Sequence, residues 1–73
     1  MKIRLEKIEE LQNAVTKNNI PVGFTTEGEM FTKPQVGKQF LVGHELRTSI
    51  VEEILNDNTF KTRNSIYKIT ELN

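Results

Sequence analysis

Apolar positions along this chain follow two different rhythms. Leu5, Ile8, Leu11, Ala14 and Val15 recur at spacings of three and four, which sets them on one stripe of a helix. Glu6, Lys7, Glu9, Glu10, Gln12 and Asn13 fill the opposite face. Lys17-Asn18-Asn19 supplies a basic last turn and a residue type that tolerates a left-handed cap, and Pro21 forbids continuation. The pattern predicts a helix over residues 1–19. Met1, Ile3 and Leu5, read alone, alternate as strand residues do.

From residue 20 onward the rhythm shortens. Ile20-Pro21-Val22-Gly23-Phe24 reads as an extended segment that Pro21 bars from the middle of a sheet. Glu27-Gly28 reads as a turn, after which Met30-Phe31 can return to the core. Gln39-Phe40-Leu41-Val42 is a short apolar strand that ends at Gly43. Thr48 to Leu55 fits either element. Ser49-x-x-Glu52 matches a capping box, and Ile50, Val51, Ile54 and Leu55 share a helical face. β-Branched residues dominate, however, and Asn56-Asp57-Asn58 supplies residues that tolerate positive φ in a hairpin loop. Centring the turn on Asp57 pairs Ile54 with Phe60 and Glu53 with Lys61, an apolar pair on one face and opposite charges on the other. A strand is therefore expected. Arg63-Asn64 breaks the pattern, and Ser65 to Ile69 forms a last strand with Tyr67 and Ile69 on one side.

These elements add up to a single α+β, mainly β, domain over residues 1–73. Its expected architecture is an N-terminal helix over 1–19 followed by an SH3-like, partly open small β-barrel over 20–73. The helix stripe Leu5, Ile8, Leu11 and Val15 is expected to pack on that barrel or on a second subunit.

Size narrows the picture further. A chain of 73 residues holds one domain. At this size only about 60% of the unfolded surface is buried, so a staple or a partner is common. The chain has no cysteine, which excludes disulfides and thiolate zinc, and one histidine, His44, cannot build an imidazole-rich metal site. No metal and no cofactor are expected, and self-association as a homo-oligomer gains weight. Ten basic and ten acidic side chains balance. Neither half carries the basic excess of duplex-binding proteins. No apolar run approaches the roughly 18 residues of a membrane span, and the N-terminus lacks a signal-peptide core. The expected setting is cytoplasmic, without a membrane partner.

Catalytic signatures are missing. His44 stands alone beside Glu45, and Ser49 and Ser65 lack a nucleophile elbow. Glu52 and Glu53, adjacent on a strand, point to opposite faces. Gly23, Gly28, Gly37 and Gly43 match no phosphate-loop spacing. The chain is not expected to be an enzyme.

The strongest candidate for a binding surface is polar: Arg47, Thr48, Ser49, Lys61, Arg63, Asn64, Tyr67 and Lys68. The expected hairpin brings Thr48-Ser49 toward the far end of the following strand, where hydroxyls, an amide and guanidiniums can converge. Arginine forks suit phosphate or carboxylate, and Tyr67 offers a ring face. The structural alternative is plain: strand threonines, a turn at Asn64-Ser65 and a core tyrosine.

Pro34-Gln-Val-Gly-Lys-Gln-Phe40, Thr48-Ser-Ile-Val-Glu-Glu-Ile54 and Phe60-Lys-Thr-Arg-Asn-Ser-Ile-Tyr67 together give a Thr-Ser strand, a turn and a Phe-x-Thr-x-Asn-Ser-x-Tyr pattern. In this the chain resembles small uncharacterised proteins encoded by bacteriophages and other mobile elements. The resemblance runs from Pro34 to Ile69 and implies a small β fold, a phage-type context and, with it, a host cytoplasm. It implies no activity. The function expected is that of a non-enzymatic interaction protein that binds, and by occupying a surface inhibits, a host protein partner. A nucleic-acid-binding barrel using Lys33, Lys38, Arg47, Lys61, Arg63 and Lys68 is the second reading, and a structural virion or assembly component the third.

Overall fold

Ile3, Leu5 and Lys7 are buried while Lys2 before them and Arg4 between them are exposed, the period-two alternation of a strand with one face against a core. That strand is β1 (Lys2–Glu10). It is followed by β2 (Thr25–Glu29), β3 (Gln39–Val42), β4 (Leu46–Asn56), β5 (Thr59–Thr62) and β6 (Ser65–Glu71). The computed structural model describes residues 1–11, 21–44 and 46–72. Neighbouring strands are antiparallel in the order β2-β1-β6-β5-β4-β3. All neighbours are consecutive in sequence except β1 and β6, so the sheet is an up-and-down meander whose first and last strands meet.

The two outer strands come back together. The Gly43 N–H donates to the Glu29 carbonyl at 2.8 Å. A Cβ built on Gly28 would lie 2.9 Å from Val42 Cγ1. The result is a nearly closed six-stranded barrel, closed at this seam by a glycine that admits its neighbour. Ile3, Leu5, Phe40, Val42, Val51, Phe60, Tyr67 and Ile69 fill it, with Met30 and Leu46 packed alongside. Phe60 is its hub, with ring centroids 5.0 Å from Phe40 and 5.5 Å from Tyr67.

The N-terminal helix is not found. Residues 2–10 form β1, which belongs to the barrel, and no described residue is helical. Of the proposed helix face, Leu5 points into the core, Ile8 is 39% exposed and Leu11 is half-buried just past the strand, while Val15 lies outside the described residues, as does the rest of the span 12–19. The cause of the misreading is a β-bulge. Pairing with β6 slips between Lys7 and Glu9, leaving Ile8 as the extra residue. The extra residue is apolar although it lies outside the inward series, so Leu5, Ile8 and Leu11 stand at a helical spacing without sharing a face. The five-strand, SH3-like count fails as well, because β1 is a sixth strand. Glu27-Gly28, read as a turn, lies inside β2.

The C-terminal half follows expectation closely. Residues 49–55 belong to strand β4, and the register pairs Ile54 with Phe60 and Glu53 with Lys61. The turn differs in one respect. No described residue other than glycine has positive φ. The loop is instead held by an Asx turn in which the Asn58 N–H donates to Asn56 Oδ1 at 2.9 Å. A register slip between Ile54 and Asn56 absorbs the extra residue. No helix among the described residues is long and apolar enough to cross a membrane.

A groove at one end of the barrel

The barrel has two different ends. At the end capped by the β5–β6 turn, the interior is polar. Lys7 is fully buried, its stem standing where an apolar side chain would and its ammonium 2.8 Å from Glu10 Oε1. Thr62 Oγ1 accepts the backbone N–H of Asn64 at 3.3 Å and of Ser65 at 3.1 Å, and donates to the Ser65 carbonyl at 3.2 Å. Asn64 Nδ2 donates to Ser49 Oγ at 2.9 Å, and the Leu11 N–H to the Asn64 carbonyl at 3.0 Å. Thr48 Oγ1 accepts the Phe40 N–H at 3.1 Å and donates to the Ser49 carbonyl at 2.7 Å.

Much of the polar set singled out in the sequence is therefore here. Thr48, Ser49 and Asn64 do converge, as the hairpin register requires, but these hydrogen bonds hold backbone and each other. Arg47 and Arg63 project to solvent near them. Lys61, Tyr67 and Lys68 do not join the group. Tyr67 is 3% exposed and stacks on Phe60. Lys68 stands opposite Glu6, and Lys61 opposite Glu53.

The same pairing runs round the outer wall. Arg4 Nε and Nη2 both reach Glu27 Oε2, at 3.1 and 2.8 Å, and the Met1 ammonium lies against Glu29. Each such cation is matched by a carboxylate on the neighbouring strand.

The opposite end is open and apolar. A groove of about 570 Å³ lies between the β4–β5 turn, the end of β6 and the segment that leaves β2. Met30, Pro34, Ile54, Phe60 and Ile69 are its apolar lining, and Lys33, Asn56, Asp57, Asn58, Thr59 and Glu71 its polar lining. Phe60, fully buried, and Ile69, 7% exposed, are core residues beneath it, whereas Ile54 is 45% exposed. The volume sits within the ~300–1,000 Å³ usual for ligand pockets. Most of the rim side chains are exposed, so the site is a trough rather than a closed cavity. Phe31, 61% exposed and next to Met30 in the chain, lies outside the groove lining, against His44 with ring centroids 5.8 Å apart.

Sequence reading missed this groove. Ile54 and Phe60 were legible as a pair, but Met30, Pro34 and Ile69 join them only through barrel closure. Among the described residues no group of three or more His, Cys, Asp or Glu is placed to hold a metal ion. No protein-family model, no curated protein and no solved structure matches the chain. The resemblance to phage and mobile-element proteins thus rests on the residue pattern alone.

Proposed function

We propose that this chain is a non-catalytic interaction module that binds a protein partner by taking one of its segments into the groove beside Ile54. The observation that carries the reading is the contrast between the two kinds of surface. On the outer wall of β1, β5 and β6, Arg4, Lys61 and Lys68 each face a glutamate across the ladder, while the open end leaves Ile54, Met30 and Pro34 around an apolar floor. Exposed apolar surface gathered in a concave site is what a partner covers. Occupying that partner's surface is sufficient for an inhibitor, and no residue is asked to do chemistry.

Nucleic acid fits the same surface poorly. Lys61 and Lys68 each face a glutamate across the ladder, so neither presents an unopposed positive stripe to phosphates.

Selection from a displayed random-peptide library tests the reading. Peptides enriched on the wild-type protein are expected to be lost on Ile54→Asp, with the amide spectrum of the variant showing an intact barrel. Enriched peptides that ignore Ile54→Asp, or no enrichment at all, would sink the proposal.

A further inference from the structure

We infer that the segment accepted by this groove carries a lysine or arginine next to a large apolar side chain, the apolar group resting on Ile54, Ile69 and Met30 and the cation between Asp57 and Glu71. This inference rests on the groove being the binding site and specifies what it selects.

The direction of Glu71 is the first ground. Tyr67 and Ile69 are buried on the inner face of β6, and alternation puts Glu71 on that same face. Its partner across the ladder is Ile3, which is fully buried. Glu71 is thus an inward-facing carboxylate at the mouth of an apolar trough. An inward charge can guard a sheet edge against stray pairing, but β6 is paired on both sides and has no edge to guard. At the mouth, the charge meets whatever enters.

Asp57 arrives from the other side. The Ile69 N–H donates to the Asn58 carbonyl at 2.7 Å, which draws the β4–β5 turn against β6. Asp57, one residue before Asn58, then sits on the same rim as Glu71, two residues past Ile69, and both line the groove. The ion pairs of the described residues are Met1 with Glu29, Arg4 with Glu27 and Lys7 with Glu10. Asp57 and Glu71 are in none of them. Two carboxylates against the single lysine of the lining, Lys33, leave the groove net negative over an apolar floor, and its complement is a cation attached to an apolar group.

Lys33, the one cation of the lining, marks the orientation. It repels a second cation there, so the cation of the ligand lies toward the turn and the apolar part toward Pro34.

The sequences of the selected peptides, and their affinities, decide the matter. The expected pool carries Lys or Arg within two positions of a large apolar residue. Its affinity falls about fivefold on Asp57→Asn/Glu71→Gln, the combined worth of two part-exposed charge pairs, and rises on Lys33→Gln. A pool lost on Ile54→Asp but neutral or acidic, or indifferent to Asp57→Asn/Glu71→Gln, overturns the inference and leaves the groove standing. A pool indifferent to Ile54→Asp overturns both.

Discussion

Replacing Gly28 by alanine tests the closure of the barrel at its weakest seam. The added methyl would lie 2.9 Å from Val42 Cγ1, well inside van der Waals contact. Val42 is 3% exposed and β-branched, so it has little freedom to withdraw. Overfilling a well-packed interior costs about 1–3 kcal/mol. Against that, alanine restricts the unfolded chain and returns roughly 0.4–1 kcal/mol, because Gly28 is not among the glycines held at positive φ. The net loss is about 1–2 kcal/mol. In a domain of this size ~1 kcal/mol moves Tm by roughly 4–8 °C, so Tm should fall by about 5–10 °C.

The second half of the test reverses the sign. In a Val42→Ala background the opposing Cγ1 is gone, and Gly28→Ala should then stabilise by roughly 0.4–1 kcal/mol. Urea and thermal melts of the four proteins, followed by circular dichroism because the chain has no tryptophan, complete the cycle. A coupling of about 2 kcal/mol is expected. If Gly28→Ala costs the same in both backgrounds, or stabilises the wild type, β2 and β3 do not meet at this point and the barrel is open.

Three further predictions concern the turns and the groove. Thr62→Val leaves the N–H groups of Asn64 and Ser65 without their shared acceptor and should cost about 2–3 kcal/mol in urea melts; Thr62→Ser, which keeps the oxygen, should cost about 1 kcal/mol, and equal losses would refute the role of the hydroxyl. Asn58→Gly should destabilise by about 0.5–1 kcal/mol, since Asn58 does not use positive φ and the glycine only loosens the unfolded chain. A gain in Tm would instead mean a left-handed turn. Ile54→Asp should change stability by under about 1 kcal/mol, as expected for a side chain already 45% exposed; a large loss in denaturant titration would make Ile54 a core residue and not a groove residue.

The C-terminal hairpin was legible because its register is overdetermined. Ile54 with Phe60 and Glu53 with Lys61 satisfy both faces at once, and a slip by one residue would violate both. β1 was not legible, for two physical reasons. Lys7 occupies an inward position, and a lysine there hides the third beat of Ile3-Leu5-Lys7 from any reading that counts apolar residues. The bulge at Ile8 then moves the later positions of the strand out of step by one. β4 shows the same effect three times, with slips in its pairing to β3 and twice to β5. Thr48, Val51 and Ile54 therefore fall at every third position, which is why this strand also resembled a helix. The bulges bend β4 so that its first part pairs with β3 and its second with β5, and such bending is what closing a small sheet requires. The residues that curve the barrel are the ones that disguise it.

Closure also decides where a site can be. Along a closed wall the backbone is spent on the ladder, Arg4, Lys61 and Lys68 each face a glutamate of the neighbouring strand, and the groove opens at a mouth. One mouth is filled by Lys7, Thr62, Asn64 and Ser65, all of them buried. The other keeps its apolar floor and two carboxylates without ion pairs. Stability and binding are then separable along the barrel axis. Thr62→Val should lower Tm by about 10–20 °C, at roughly 4–8 °C per kcal/mol, yet leave peptide affinity intact below the melt. Ile54→Asp should do the reverse. Measured together by calorimetry and peptide titration, the two variants should fall on different axes. If Thr62→Val weakens binding as much as Ile54→Asp, the ends are coupled, and the groove is not an independent site.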